Sequence, residues 1–131
     1  MKIKNIMFLI IIVLCIVISF TACTKLNKSK LVERVNTNIT ALDNSITCFS
    51  SANTDNADIT AVIVLQKGEF FGIWHDIGEI ARLENQFRTI SLSGTIDDLD
   101  SGTYRSKTTF TVVKDDISEK LPFYSTEKKI E

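Results

Sequence analysis

The chain is poor in the residues from which metal centres and disulfide scaffolds are built. Its 131 residues include one histidine, His75, and three cysteines. Cys15 and Cys23 belong to an apolar N-terminal region, so only Cys48 remains for a folded domain. One histidine and one cysteine cannot complete a zinc site within a single chain, and a lone cysteine cannot form an internal disulfide. We therefore predict no cofactor and no disulfide framework.

Glycine and proline are scarce as well. The five glycines stand singly, which excludes a glycine-rich phosphate loop, and Pro122 is the only proline. The acidic run at residues 97–102 (DDLDSG) is similar to the start of a calcium loop, but its closing glutamate would fall at Thr109. We interpret this run as a hairpin turn.

No pair of nucleophile and proton carrier stands out. His75 follows Trp74 at the end of a predicted strand, and we expect an ordinary strand-end residue there. We expect Cys48 to be a small buried hydrophobe. The alternatives are a disulfide with another chain or with Cys23, or a thiol pair with His75. Because catalysis needs such groups to be held by a neighbour, the sequence predicts a protein that is not an enzyme.

The N-terminus, in contrast, carries a clear signal. Residues 1–5 contain two lysines and no acid, and residues 6–20 (IMFLIIIVLCIVISF) contain no charge, as in a secretory signal. The four residues at 20–23 (FTAC) resemble the lipobox of bacterial lipoproteins, with phenylalanine where that family usually has leucine. This resemblance implies cleavage before Cys23 and lipidation of its thiol. The alternative is an uncleaved single-pass anchor, since residues 6–22 approach the roughly 20 residues that cross a bilayer.

Either interpretation tethers the rest of the chain to a membrane of the bacterial cell envelope, on the periplasmic side. Residues 24–34 carry a net charge of +3, whereas residues 35–131 contain nine basic and fifteen acidic residues, a net of −6. The basic stretch could contact anionic headgroups or could be a solvated tether. We expect membrane lipid to be a partner through the N-terminus. An acidic domain is poorly suited to nucleic acid, so we expect no nucleic-acid partner.

We predict four parts in the chain: a signal peptide or anchor (1–22), a tether (23–45), an extracytoplasmic β-domain (46–126) and a tail (127–131). Leu31, Val35, Ile39 and Leu42 recur every three or four residues, which predicts a short helix in the tether. From Ile46 onwards the apolar residues alternate instead.

The alternating region predicts five or six short strands. Residues 46–50, 59–66, 87–97 and 103–113 are the clearest strands, and residues 51–58 (SANTDNAD) form a polar loop. Residues 79–86 fit a short helix or an irregular strand, and we expect the strand. Residues 59–74 predict a hairpin that turns at KGE, and the last strand is expected to end before Pro122. The expected fold is therefore mainly β, a single small antiparallel sheet that forms a sandwich or an open barrel. Phe70, Phe71 and Trp74 are expected mostly in its core.

Residues 48–124 resemble the FidL-like family of enterobacterial membrane proteins. The similar pieces are a cysteine-bearing strand after an N-terminal membrane segment (ITCFS), a glycine-turn hairpin (IVLQKGEFFG), and FRTISLSG followed by YRSKTTF and LPFY. Members of that family accompany membrane-spanning transcription regulators with outward sensory domains. The resemblance implies a non-enzymatic accessory protein that binds and steadies such a regulator.

Two functions are therefore expected. The first is the binding of another envelope protein, through the exposed backbone of an edge strand. The alternative is a lipoprotein module that holds a small apolar ligand within the curled sheet. A ligand binder requires a sizeable apolar cavity inside the sheet, whereas an interaction module requires a filled core and an exposed apolar patch or edge.

Overall fold

The computed structural model of the chain describes residues 31–131. These residues form strands β1 (Val32–Leu42), β2 (Ser45–Gly68), β3 (Trp74–Ile96), β4 (Gly102–Lys114), β5 (Ile117–Tyr124) and β6 (Lys128–Ile130), with a 3₁₀ turn at Phe70–Gly72. The fold is mainly β, as predicted, and its single curled antiparallel sheet forms a half-barrel. No helix within residues 31–131 is long and apolar enough to cross a membrane. The predicted signal or anchor and Cys23 lie outside the described residues.

Strand β2 is the centre of the sheet. It pairs with β3 along almost its whole length, from Ile46 to Gly68. It also pairs with β1 over its first half and with β4 over its second half. Strands β5 and β6 then pair with successive parts of β4. The predicted hairpin at KGE is thereby confirmed as the β2–β3 connection.

An irregularity in the middle of β2 turns its two halves towards one core. Asp55 and Asn56 are both exposed, Asn56 has a φ of +50°, and the register with β3 shifts between Asn53 and Asp58. Between the pairs Asn53–Thr89 and Asp58–Phe87, β2 has four residues and β3 has one, and an excess of this kind bends a strand and reverses which alternate side chains face inward. The buried side chains accordingly change from even to odd numbers: Ile46, Cys48, Ser50, Ala52 and Thr54, then Ala57, Ile59, Ala61, Ile63 and Leu65.

The two halves of the sheet meet in a filled core. On β4, every second side chain points inward: Tyr104, Ser106, Thr108, Phe110 and Val112. The hydroxyls of Ser50 and Thr108 share a buried hydrogen bond that joins the first half of β2 to β4. Phe110 meets Phe123 of β5 edge-on, with ring centroids 5.8 Å apart, and such pairs add to the burial of area.

The predicted helix in the tether is wrong. Residues 32–42 form β1 instead, and Ile39 is buried opposite Cys48 of β2. The spacing of four between Val35 and Ile39 fits a helical turn, but it also places both side chains on one face of a strand. Residues 32–42 form a strand because Ile39 is buried against β2 in this conformation. The asparagine and threonine residues that separate the apolar ones do not prevent it.

Three other boundaries differ from the sequence prediction. The expected polar loop at residues 51–58 lies inside β2, where the small side chains of Ala52 and Ala57 face inward. The expected tail contains β6, and Ile130 is buried. Pro122 lies within β5 rather than after it. This position is compatible with a proline because β5 is an edge strand.

Candidate interaction surfaces

The interior of the half-barrel is occupied by side chains. The large side chains that are almost completely buried are Ile39, Ile46, Ile59, Ile63, Leu65, Tyr104, Phe110 and Val112. The surface of residues 31–131 also carries cavities. An open cleft of about 540 Å³ is lined by Gly68, Glu69, Phe70, Gly102 and Thr103. A polar groove of about 300 Å³ is lined by Thr60, Val62, Arg82, Thr109, Thr111 and Lys120.

Cys48 and His75, the two residues considered for chemistry, have unrelated surroundings. Cys48 is a free, buried cysteine, as expected. Burial raises the pKa of its thiol to about 11, and the neighbouring Ser106 hydroxyl lowers the pKa by a smaller amount. Nε2 of His75 lies 2.7 Å from a carboxylate oxygen of Glu69, and both side chains are about half exposed. His75 therefore contacts Glu69 at the surface, whereas Cys48 lies in the core, so the two residues do not form a thiol pair.

The acidic run at residues 97–102 leads from β3 into β4, but these strands pair with opposite edges of β2 and not with each other, so the expected hairpin turn is wrong. Ser45 Oγ donates a hydrogen bond of 2.6 Å to Asp97 Oδ1. The amide of Leu99 donates to the Asn44 carbonyl at 2.9 Å. Within residues 31–131, no three histidine, cysteine or acidic side chains are grouped as a metal site requires.

Strand β5 forms an edge of the sheet. Lys114 and Ile117 flank the two-residue turn at 115–116, so they form a hydrogen-bonded pair, as residues beside such turns do. Backbone groups alternate from that pair onwards, which directs those of Ser118 and Lys120 away from β4. Pro122 occupies the next outward position, where the missing N–H removes no bond to β4. The outer edge of β5 is unpaired with any other strand in the described part of the chain.

A seam separates β5 from β1, which pairs with the first half of β2 on the same edge that β4 uses in the second half. Across residues 31–131 no ladder joins these two strands. Thr37 Oγ1 of β1 donates a hydrogen bond of 3.4 Å to the outward carbonyl of Tyr124 on β5. Residues 35–42 of β1 (VNTNITAL) include neither a charge nor a proline, the usual devices that block an exposed strand edge. The half-barrel is therefore open along a seam that has pairing-competent backbone on both sides.

A second exposed surface lies at the β2–β3 connection, residues 69–73 (EFFGI), here named the aromatic tip. Phe70 is 88% exposed, Phe71 is 99% exposed and Ile73 is 55% exposed. The tip is closed by a 2.7 Å hydrogen bond from the Glu69 amide to the Ile73 carbonyl. Phe71 has a φ of +68°, a conformation that is uncommon for a residue with a side chain. The expectation that both phenylalanines lie in the core is wrong, because a hairpin turn is too short to fold them back onto it.

Behind the aromatic tip, an arginine is sandwiched between two rings on the outer face. The guanidinium carbon of Arg105 lies 4.2 Å from the ring centroids of both Trp74 and Tyr124. Arg105 Nε donates to Gln66 Oε1 at 2.9 Å, and Gln66 Nε2 donates to Asp76 Oδ1 at 2.8 Å. Cation–π contacts favour such stacking of arginine. These contacts link β2, β3, β4 and β5 at the end of the sheet that carries the tip.

The sequence predicted an edge and an exposed patch but not where they lie. A signal for the tip was present, because two phenylalanines stand between Glu69 and Gly72 in a predicted turn, and turns lie at the surface. No signal distinguished the arginine sandwich from ordinary surface charge. No family model, curated protein or solved structure matches the chain. The resemblance to the FidL-like family therefore stays a prediction.

Proposed function

We propose that this chain is a non-enzymatic accessory protein of the bacterial cell envelope. It is tethered to a membrane through its N-terminus, with its domain on the periplasmic side, and it binds another envelope protein at the seam between β1 and β5. The observation that carries the proposal is the unpaired outer edge of β5 next to a filled core. The FidL-like resemblance suggests a membrane-spanning transcription regulator as the partner.

Strand addition is the binding mode that this seam supports. An extended segment of the partner pairs with the outward amides and carbonyls of Ser118 and Lys120, and main-chain hydrogen bonds supply affinity. Ile117 and Tyr124, which are about half exposed at the two ends of β5, supply apolar contacts. On the other side of the seam, the uncharged stretch of β1 presents no repulsive group to an incoming strand.

The filled interior favours this function over the binding of a small apolar ligand within the sheet. Ile59, Ile63 and Phe110 are fully buried against one another in the space that such a ligand would take. A binding site for a drug-sized apolar molecule usually offers a preformed concave pocket. The cleft at Gly68 and Gly102 is open to solvent and lies beside the tip rather than inside the sheet.

The test is photo-crosslinking of the full chain in membranes of the source cell. A benzoylphenylalanine at Ser118, which is exposed on β5, is expected to give one discrete cross-linked species. In the Lys120→Pro background this species is expected to disappear, because proline removes an outward N–H without removing a bond to β4. Lys120→Ala, which keeps the N–H, is the matched control and is expected to retain the cross-link.

Two results would overturn the proposal. One is the absence of a discrete species from Ser118 when the protein is folded in the membrane. The other is a species that persists equally in Lys120→Pro and Lys120→Ala. Circular dichroism of the purified variants verifies folding, and Ser118→Pro, with the probe moved to Lys120, repeats the test at a second outward amide.

A further inference from the structure

We propose that the aromatic tip inserts into the interface of an anionic lipid bilayer. This contact is separate from the N-terminal tether and from the seam between β1 and β5. Phe70, Phe71 and Ile73 would enter the boundary between headgroups and acyl chains, and basic side chains behind them would meet the lipid phosphates.

The exposure of the tip is the first observation. Phe71 is 99% exposed and Phe70 is 88% exposed, so neither ring is packed against the described domain. Both stand on a short turn whose backbone is fixed by the hydrogen bond between Glu69 and Ile73. Exposed apolar side chains grouped in this way mark a contact with a membrane or another apolar surface.

A basic row directly behind the tip is the second observation. Lys67 pairs with His75 of β3 and with Tyr104 of β4, and Tyr104 pairs in turn with Lys128 of β6. Residues directly opposite in neighbouring strands lie on the same face. No carboxylate of residues 31–131 lies within ion-pair distance of Lys67 or Lys128. Both ammonium groups therefore remain available to anionic headgroups.

Two acidic groups beside the tip have side-chain partners. Glu69 lies 2.7 Å from His75, and Asp76 accepts a hydrogen bond from Gln66. These hydrogen bonds fix the positions of the two carboxylates but leave their charge in place, so the basic row has to outweigh it when the tip meets an anionic surface.

The order of residue types from the tip inwards favours lipid over a protein partner. Phenylalanine and isoleucine stand outermost, and Trp74, Lys67 and Arg105 follow in the next layer. Membrane-bound proteins show this order, because tryptophan, tyrosine and basic side chains prefer the headgroup region and purely apolar side chains prefer the acyl region.

The position of the tip also restricts how the domain lies. The amide of Asp55 donates to the carbonyl of Leu31, so the described chain begins beside the bend of β2. Gly68 is thirteen residues further, about 43 Å along the strand. Eight Cα–Cα steps separate Cys23 from Leu31, so this stretch spans at most about 29 Å. If tether and tip contact the same bilayer, the second half of β2 lies closer to parallel than perpendicular to the membrane.

The experiment uses Trp74, the only tryptophan of the chain, as the reporter. The full chain is reconstituted into vesicles of equimolar phosphatidylglycerol and phosphatidylcholine whose acyl chains are brominated near the headgroup. Bromine quenches tryptophan at short range, so emission from the parent protein is expected to fall by about half or more relative to unbrominated vesicles. Vesicles of phosphatidylcholine alone are expected to quench less.

Three variants identify the groups responsible. Phe70→Ser/Phe71→Ser is expected to lower the quenching by about threefold or more, although its N-terminus still holds it on the vesicle. Phe87→Ser is the matched control, because Phe87 is also exposed but pairs with Asp58, ten positions from the Gly68–Trp74 pair. Lys67→Gln/Lys128→Gln is expected to remove most of the difference between the two lipid mixtures.

The proposal fails if Trp74 is not quenched while the protein floats with the vesicles, or if the double phenylalanine variant is quenched as much as the parent. It also fails if quenching requires other proteins of the source membrane, which would make the tip a protein-binding element. Because the seam plays no part in this measurement, Lys120→Pro is expected to leave the quenching unchanged. The two proposals can thus fail independently.

Discussion

At Gly94 the two halves of β3 approach each other closely. A Cβ atom at Gly94 would lie 2.5 Å from the carbonyl oxygen of Ile80 and 2.6 Å from its Cγ2. Ile80 belongs to the same strand, so the second half of β3 passes against the first half. Side-chain atoms do not tolerate such distances, and here the closest neighbour is backbone, which cannot move aside as a flexible side chain can.

We expect Gly94→Ala to lower the free energy of unfolding by about 2 to 3 kcal/mol, because the added methyl group forces the strand segments apart. Urea denaturation followed by far-ultraviolet circular dichroism measures the change. Gly78→Ala is the matched control in the same strand, because a Cβ there has only Ile96 Cδ1 within reach, at 4.0 Å. Equal stabilities of the two variants would contradict the close approach.

At the scale of elements, the bend of β2 decides which side chains face the core. Asn56 adopts a φ of +50°, and the inward-facing positions change parity on either side of it. Strand β3 bends at the matching place, with positive φ at Asn85 and Arg88. The irregularity therefore belongs to both strands of the β2–β3 ladder, and it orients every side chain that follows in β2.

We expect the deletion of Asn56 to abolish folding, because Ile59, Ile63 and their neighbours would turn to the solvent face. Asn56→Gly keeps the residue count and suits the positive φ, so its free energy of unfolding is expected to stay within about 1 kcal/mol of the parent value. Near-ultraviolet circular dichroism tests whether each variant has a packed core, and urea titration measures its free energy of unfolding. A deletion variant that still unfolds as cooperatively as the parent in urea would show that Asn56 does not decide which side chains of β2 face the core.

Local patterns in the sequence predict some elements and not others. The β2–β3 hairpin is predictable because a continuous apolar run at residues 61–65 ends at clear turn residues, and β4 is predictable because most of its apolar and polar residues alternate. Strand β1 is not, because the spacing between Val35 and Ile39 fits two periodicities and only burial against β2 selects one. The bend of β2 is missed for another reason. Polar residues such as Asn53 and Asp55 resemble a loop when the covering strands are unknown.

The candidate surfaces are harder to predict from the sequence than the strands, because they depend on contacts between residues that are far apart in the chain. That β5 is an edge follows from which strands pair with β4, and no local pattern contains this information. The basic row behind the tip joins Lys67 to Lys128, which are far apart in sequence. The exposure of Phe70 and Phe71 is predictable in principle, because both residues stand in a turn and turns lie at the surface even when they carry large apolar side chains.

At the scale of the whole molecule, stability depends on the protonation of the interior thiol. Burial raises the pKa of Cys48 from 9.0 to about 11. The unfolded chain therefore loses this proton first as the pH rises. The contribution of the protonated thiol to the free energy of unfolding is therefore fully present below about pH 9. It is lost progressively between about pH 9 and pH 11, and the free energy of unfolding falls by about 2 to 3 kcal/mol.

We expect the difference in free energy of unfolding between the parent and Cys48→Ala to decrease by about 2 to 3 kcal/mol from pH 8 to pH 11, with the parent losing more. The comparison removes the contribution of other titrating groups, which both proteins share. Denaturation is measured in a reducing buffer. A difference that does not change with pH would mean that the thiol is solvated in the folded protein.

Strand β2 takes part in both halves of the half-barrel without interruption, from Ser45 to Gly68. Its first half contacts β1 and its second half contacts β4, while β3 accompanies both. Melting of either half would strip hydrogen bonds from a strand on which the other half depends. The domain is thus built as one thermodynamic unit, in which amides at opposite ends of β2 exchange with solvent only when the whole molecule opens.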